Sequence, residues 1–387
     1  MKLIVVRLRE KIKKFRQPFS CPKHLWFCIP FQKYENHKNE LTCKNQLINY
    51  KMKISRLTSL FVLVVALSAC GPKIDPEPNP TKKWFSETPQ NIAGLNTEFD
   101  DYNSNLERIG KAFNLYYSTN KNSEGENYDI SSAYFKIFED VETEEVEFEI
   151  FLDQASWAEI ILPVINTGYN ELGPFSSDWK DGTNDTHGNH LFLCADDSSG
   201  NFDIKFININ ISKWAQGGSN QQVFGPVYAD VLNSDSNDYY PTVNKNFSEF
   251  YFCSNRNGNY DIFSVDVSNP VISDWLKTGE DEPVVSTILS SEYNDKCPYI
   301  NGNLMVFSSD RENGFGGFDL WYTVWENGEW SEPVNFGPGI NTEYDEYRPA
   351  TEYFEDSKNN LMFFSSNRPG GNGGFDLYFA GIEKMIE

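Results

Sequence analysis

Five acidic residues recur along the chain, and each one directly follows an Asn or an Asp. They are Asp101, Asp185, Asp238, Asp295 and Glu346. Carboxylates that converge on one cavity can act as the acid, base or nucleophile of glycoside hydrolysis. They can instead cap a turn by accepting hydrogen bonds from nearby backbone and hydroxyl groups. Their regular recurrence favours the structural role, because catalysis needs carboxylates in unlike surroundings.

A second polar group occurs in one part of the chain only. The segment DTHGNH contains His187 and His190, and Asp196 and Asp197 follow it closely. A histidine beside Asp185 and these acids could act as a base or hold a metal ion. A single histidine in a strand is more often a packed core residue, and both alternatives stay open.

These residues must be positioned by five copies of one apolar hairpin. The clearest copy, residues 361–380, has two strands joined by a glycine-rich loop. An aspartate opens the second strand of every copy: Asp129, Asp203, Asp261, Asp319 and Asp376. Their spacings of 74, 58, 58 and 57 residues predict a β-propeller with one blade per copy.

A basic residue occurs in the loop of four hairpins, and we expect it to pair with that marker aspartate. These residues are Lys121, Arg256, Arg311 and Arg368. The second copy has Asp197 at this place instead. That hairpin therefore appears in the sequence as a cluster of unpaired acids.

The two ends of the repeat region predict a closed ring. Residues 85–102 match the outer-strand sequence between hairpins, yet they precede the first hairpin. We expect this segment to supply the missing outer strand of the last blade, which leaves no open sheet edge. The predicted fold is therefore all-β, a five-bladed propeller over residues 81–387.

The sequences FSSNRPGGNGGFDLY and FSSDRENGFGGFDLW resemble the TolB-type WD40-like propeller repeat of bacterial envelope proteins. The shared motif is an aromatic strand, Ser-x-Arg, a glycine loop and then Asp-Leu before an aromatic residue. The resemblance is strongest in the last three copies and weaker in the first two. It implies a propeller in the cell envelope, and it specifies fold better than function.

The pattern of residues 52–69 is typical of a lipoprotein signal peptide. Lys53 and Arg56 precede a short apolar run that ends in the sequence LSAC. This ending resembles a bacterial lipobox, which implies cleavage before Cys70 and lipidation of that cysteine. A short internal membrane anchor is the alternative.

The remaining boundaries follow from this cleavage site. Residues 1–51 are expected to be an upstream extension that is not part of the native protein. Residues 70–80 are rich in proline and predict an extended tether between lipid and propeller. In the lipoproteins that the chain resembles, Gly71 after the lipidated cysteine favours the outer membrane. We expect the propeller to face the periplasm or the cell surface.

The charge of the chain limits its partners. Residues 1–70 hold 14 of the 33 basic and 3 of the 56 acidic side chains, which leaves a formal charge of −34 on the remainder. This charge argues against nucleic acid and anionic lipid headgroups as partners. The sequence has no zinc spacing, phosphate loop or dinucleotide fingerprint, so we expect no cofactor. Calcium in the Asp/Asn-rich turns stays open, although the twelve-residue calcium loop is missing.

Two main hypotheses of function follow. The first is a non-catalytic, lipid-anchored scaffold that engages an envelope protein partner. It rests on the near-regular repeat without a convincing catalytic set. The alternative is a carbohydrate-active protein, either a hydrolase or lyase around Asp185 and His187 or a glycan-binding protein with exposed tryptophans. The tryptophans near outer strands are more simply explained as packing between blades: Trp84, Trp214, Trp275 and Trp330.

Overall fold

A computed structural model describes residues 85–109, 112–139, 146–179, 188–211, 222–355 and 357–385. Within these ranges the chain folds into five antiparallel sheets of four or five strands. Neighbouring sheets contact one another around a ring, so the fold is a five-bladed β-propeller, as predicted. Among the described residues, no helix is long and apolar enough to cross a lipid bilayer.

The strands follow the blades in chain order, except that β1 (Gln90–Asn91) joins the last blade. Blade one contains β2 (Asp101–Ile109), β3 (Ala112–Thr119), β4 (Asp129–Glu139) and β5 (Val146–Leu152). Helix α1 (Ala158–Ile165) then leads to blade two. Blade two contains β6 (Glu171–Trp179), β7 (Asn189–Asp196), β8 (Asp203–Asn210) and β9 (Val223–Tyr228).

The other three blades repeat this order. Blade three contains β10 (Asp238–Val243), β11 (Glu249–Ser254), β12 (Asp261–Asp266) and β13 (Val284–Val285), with α2 (Ile272–Thr278) before its last strand. Blade four contains β14 (Asp295–Asn301), β15 (Leu304–Ser309), β16 (Asp319–Glu326), β17 (Glu329–Trp330) and β18 (Val334–Asn335). Blade five contains β19 (Glu346–Glu352), β20 (Asn360–Ser366) and β21 (Asp376–Ile382), together with β1.

The marker aspartates open the third strand of every blade, as predicted, but blade two begins earlier than predicted. The sequence pair Asn184-Asp185 suggested its first strand, whereas β6 begins at Glu171 after Asn170. Asp185 lies between β6 and β7 in the sequence, outside the described residues. The first-strand acid of blade two is therefore Glu171, which follows Asn170.

The ring closes through the N-terminal segment, as predicted. Strand β1 pairs antiparallel with β21, with Gln90 opposite Phe379 and Asn91 opposite Tyr378. Asn96 then bonds both backbone groups of Leu377, at 2.9 Å each. Because these bonds join the first described strand to the last blade, they replace an open sheet edge by a continuous ring.

The space between blades is filled by apolar and aromatic side chains. Phe363 of β20 is fully buried, and its ring lies 5.4 Å from that of Phe113 and 5.6 Å from that of Phe135 in blade one. Trp275 and Trp330 are also buried, so these two tryptophans pack in the fold rather than form an exposed platform. Trp84 and Trp214 lie outside the described residues.

We predict that Asn96→Ala lowers the free energy of unfolding by about 1–3 kcal/mol, because the buried N–H and carbonyl of Leu377 each lose a hydrogen bond, and only the carbonyl keeps another, from the N–H of Ile92. The matched control is Asn341→Ala, since Asn341 bonds both backbone groups of Leu320 in the same way away from the closure. Denaturant unfolding should show similar losses in both variants. A neutral Asn96→Ala beside a destabilised Asn341→Ala would mean that the N-terminal strand does not hold the ring closed.

Candidate functional site

The acid at the start of each innermost strand is fully buried. We call Asp101, Glu171, Asp238, Asp295 and Glu346 the inner-strand acids. Each accepts a hydrogen bond of 2.6–2.9 Å from the hydroxyl of the Thr or Ser four residues earlier. Burial raises the pKa of Asp101, Glu171 and Glu346, and these hydrogen bonds oppose the rise. This geometry favours the turn-capping alternative over a catalytic set that faces the channel.

The hairpin arginines pair with the inner-strand acids, and the predicted pairing with the marker aspartates is wrong. Arg256 lies 2.6 Å from Asp238, and Arg368 lies 2.9 Å from Glu346. The marker Asp376 instead accepts hydrogen bonds from backbone N–H groups of its own glycine loop. Both carboxylates are buried, and they differ in their donors: the loop N–H groups already satisfy the marker Asp376, whereas the arginine reaches the inner-strand acid.

In blade one, too, the basic residue of the hairpin loop does not pair with the marker aspartate. Lys121 Nζ approaches the hydroxyls of Tyr117 and Ser131, at 3.2 and 3.4 Å, rather than the marker Asp129. Asp129 accepts a hydrogen bond from Asn122. The predicted ion pair is therefore wrong in this hairpin too.

Blade two supplies its cation from a different strand. Lys205 on β8 places Nζ 2.6 Å from Asp196 and 3.4 Å from Glu171. Burial acts to raise the pKa of Asp196, but the hydrogen bond and charge of Lys205 outweigh it and lower that pKa. Asp197 accepts hydrogen bonds from the backbone N–H and the side chain of Asn170. The acids that appeared unpaired in the sequence therefore have partners.

The predicted histidine site is only partly described. His187 and Asp185 lie outside the described residues. His190 on β7 is fully buried, with Nδ1 2.8 Å from Asp178 and 3.4 Å from Glu107. The second oxygen of Glu107 accepts hydrogen bonds from Asn114 and Ser176, at 3.0 Å each.

The ligand atoms of Glu107, Asp178 and His190 lie within 4.8 Å of one another, as in a metal site. However, the direct contact between His190 and Asp178 is itself a hydrogen bond and satisfies Nδ1 without an ion. We therefore describe these three residues as a polar link between blades one and two.

A pocket of about 320 Å³ lies where the five innermost strands begin. Each of these strands contributes the residue directly after its inner-strand acid. These residues are Tyr102, Leu172, Tyr239, Lys296 and Tyr347. The acid turns into the blade to cap its turn, so the next side chain of the strand points to the opposite side. The pocket is thus a consequence of the same repeat that buries the acids.

A second set of aromatic residues extends the wall. Phe318 and Phe375 directly precede the marker aspartates of blades four and five, and both line the pocket. The ring of Phe318 lies 5.2 Å from that of Tyr347, and the ring of Phe375 lies 5.7 Å from that of Tyr102. Together with Tyr239 and Tyr240, these rings form what we call the aromatic belt of the pocket.

The floor of the pocket lies at the level of the third residue of each innermost strand. Every innermost strand shifts register after its second residue, and the third residue has positive φ. In blade three this residue is Tyr240, with φ of 53°, so Tyr239 and Tyr240 both line the pocket. In blade two it is Gly173, where an added Cβ would lie 2.3 Å from the Tyr240 ring. A glycine is therefore required opposite Tyr240.

Arg348 fills the channel below this floor. It is fully buried, its guanidinium lies 5.2 Å from the Tyr240 ring, and it donates hydrogen bonds to the carbonyls of Pro174 and Pro298. The side chain starts in blade five and reaches carbonyls of blades two and four. The pocket is consequently closed at its base rather than continuous with an open channel.

Sequence reasoning missed this pocket because it followed the acids. Two sequence features indicate the pocket. The residue after each inner-strand acid is aromatic in three blades, and an aromatic residue precedes each marker aspartate. These preceding residues are Tyr128, Phe202, Tyr260, Phe318 and Phe375.

Several solved structures resemble this fold. An endo-arabinase from Bacteroides thetaiotaomicron is 11% identical, with 79% of this chain and 98% of that chain covered and a TM-score of 0.48. A thermostable family-43 glycoside hydrolase is 12% identical, with 75% and 91% covered and a TM-score of 0.45. An α-L-arabinofuranosidase from Podospora anserina in complex with cellotriose is 14% identical, with 77% and 96% covered and a TM-score of 0.40. At these identities the likeness concerns the fold alone.

The predicted TolB-type family is wrong. The similar solved structures are glycoside hydrolases, and no protein-family model and no curated protein matches the chain. The hypothesis of a non-catalytic envelope scaffold is also contradicted, and an envelope protein partner is unsupported. The Ser-x-Arg motif that suggested the family has a local cause, because the arginine neutralises a buried inner-strand acid and bonds the serine hydroxyl beside it.

We predict that Lys205→Met lowers the free energy of unfolding by about 3–5 kcal/mol at pH 7, because it leaves two buried carboxylates without a cation. Burial then dominates and raises their pKa above the unfolded value. Protonation therefore favours the folded variant, and part of the loss should be recovered as the pH falls toward about 4.

Denaturant unfolding at pH 7 and pH 5 measures this recovery. The matched control is Lys121→Met, where the lysine contacts hydroxyl groups rather than a buried carboxylate. Equal losses in both variants, or a Lys205→Met loss that is unchanged at pH 5, would contradict the assigned ion pair.

Proposed function

We propose that this protein binds an oligosaccharide in the pocket at the start of the innermost strands. The observation that carries the proposal is the aromatic belt, which surrounds a concave site on the axis of the ring. Sugar rings present flat C–H faces that pack on aromatic side chains, while their hydroxyls need polar partners. The pocket volume of about 320 Å³ falls within the range of small-ligand sites. A site of this size suits the terminal sugar units of an oligosaccharide.

The tyrosines of the belt also supply polar groups. Burial raises the pKa of Tyr102, Tyr239 and Tyr347 above the usual value for a phenol. A phenol is protonated at neutral pH in any case, so each hydroxyl can donate as well as accept a hydrogen bond, and that of Tyr239 already lies 3.4 Å from the hydroxyl of Tyr260. An aromatic side chain with a polar tip suits a ligand with apolar faces and a hydroxyl rim.

The geometry supports binding rather than hydrolysis. Glycoside hydrolysis uses two carboxyl groups that flank the scissile bond. The inner-strand acids are buried and hydrogen-bonded within their own blades. Asp345 is the one carboxylate that lines the pocket in the described part of the chain, and its oxygens accept hydrogen bonds from Phe318 and Asn367. A pair of free carboxylates around the pocket is therefore missing among the described residues.

We predict that Phe318→Ala weakens oligosaccharide binding by about tenfold or more, because it removes one side of the aromatic belt. The matched control is Phe315→Ala, since Phe315 lies three residues away, is 47% exposed and does not line the pocket. Glycan arrays would identify ligands, and calorimetric titration would then give the affinities of both variants. Thermal unfolding would verify that both variants are folded.

Two results would contradict the proposal. One is that no glycan binds the folded wild-type protein. The other is that Phe318→Ala keeps the full affinity of the wild type for every glycan that binds. Turnover of a bound glycan would extend the proposal from binding to catalysis.

We also propose, from the sequence alone, that Cys70 is lipidated and tethers the propeller to the outer membrane. The support is the apolar run followed by LSAC and by a proline-rich segment. In bacterial cells that process lipoproteins, the wild type should incorporate a labelled fatty acid and enter the membrane fraction. Cys70→Ser should do neither. Labelling of both proteins, or of neither, would contradict this assignment.

A further inference from the structure

The pocket wall contains one cation without a carboxylate partner. Lys296 on β14 is half-buried, and its Nζ lies 3.7 Å from the centre of the Tyr260 ring and 5.7 Å from that of Phe318. In the part of the chain that the structure describes, Lys296 forms no salt bridge and no side-chain hydrogen bond. Its ammonium group is therefore held over an aromatic face and left available to a ligand.

The lack of any hydrogen-bond acceptor distinguishes Lys296 from the other shielded cations of the blades, since even Lys121 and Arg348, which have no carboxylate partner, donate hydrogen bonds to hydroxyl or carbonyl oxygens. Lys205, Arg256, Arg311 and Arg368 each have a carboxylate within 2.9 Å. A partly desolvated ammonium without a counter-charge is costly, and the Tyr260 face compensates for this cost only in part. A lysine retained at such a place is most simply explained by an anion that binds there.

The position of Lys296 in the repeat supports the same conclusion. The equivalent residues of the other blades are uncharged: Tyr102, Leu172, Tyr239 and Tyr347. One blade thus places a positive charge at the pocket of a protein with a strongly negative overall charge. Solubility does not require this lysine, because the surface already carries a large excess of charge.

A second cation lies beneath the pocket. The Arg348 guanidinium is separated from it by the Tyr240 ring, and it bonds backbone carbonyls rather than a carboxylate. Arginine stays charged in proteins, and its field is weakly screened because the group is fully buried. The pocket therefore has positive charge in its wall and below its floor. Asp345, its one carboxylate among the described residues, accepts hydrogen bonds from Phe318 and Asn367 of two hairpin loops.

We infer that the pocket selects a ligand with an anionic group, such as the carboxylate of a uronic acid or a sulfate ester, which pairs with Lys296. This inference rests on the proposed binding of an oligosaccharide and names the class of saccharide. The aromatic belt contacts the sugar ring, and the ammonium group of Lys296 contacts its anionic substituent.

The test is a calorimetric titration with matched saccharides. The probes are uronic-acid oligosaccharides, the same oligosaccharides after reduction of their carboxyl groups, and sodium sulfate as a free anion. We expect the acidic form to bind about tenfold or more tightly at low ionic strength, and added salt should narrow this difference. Lys296→Met should remove the difference between the two forms. Lys296→Arg should keep the preference.

The matched control variant is Lys245→Met, since Lys245 is exposed and lies outside the pocket. It should bind both saccharides as the wild type does. Equal affinity for acidic and reduced saccharides, or an unchanged preference in Lys296→Met, would overturn the inference and leave saccharide binding intact. Binding of sulfate that requires Lys296, without binding of any saccharide, would support the anion site and overturn the oligosaccharide proposal.

Discussion

The structure depends on the burial of one carboxylate at the start of each innermost strand. These groups have no contact with solvent, so each blade must provide hydroxyl and backbone donors, and most blades also provide a cation. Each acid accepts a hydrogen bond from the serine or threonine in the turn four residues earlier. In three blades it also pairs with the arginine of the hairpin loop. Because the five blades satisfy it in nearly the same way, their innermost strands begin at the same level around the axis.

The pocket follows from this arrangement. Because each acid points into its blade, the side chain of the next residue points toward the axis of the ring. In blade three the register shift brings Tyr240 beside Tyr239, so that both line the pocket. Arg348 closes the channel below, so the side chains at this end of the ring enclose a concave site instead of a pore. The differences between blades are confined to a few positions, and Lys296 is the one that changes the charge of the pocket.

The sequence predicted the fold well because the repeat is regular. The spacing of the marker aspartates identified five hairpins, and the outer-strand sequence at residues 85–102 predicted the closure that β1 makes with β21. Blade two was misplaced because Asn184-Asp185 matches the expected pair better than Asn170-Glu171 does. Its lysine was missed because Lys205 is distant from Glu171 in the sequence and meets it only across the folded blade. Apart from Lys296 and Asp345, the pocket residues are hydrophobic or aromatic, so their type does not distinguish them from core residues.

The most direct test of the account is a crystal structure of the protein with the tightest-binding oligosaccharide. We expect a sugar ring against Phe318 and the tyrosines of the belt, with an anionic substituent near Lys296. A saccharide bound instead beside His190 and Asp178, or on the outer strands of the blades, would contradict the assignment of the pocket as the functional site.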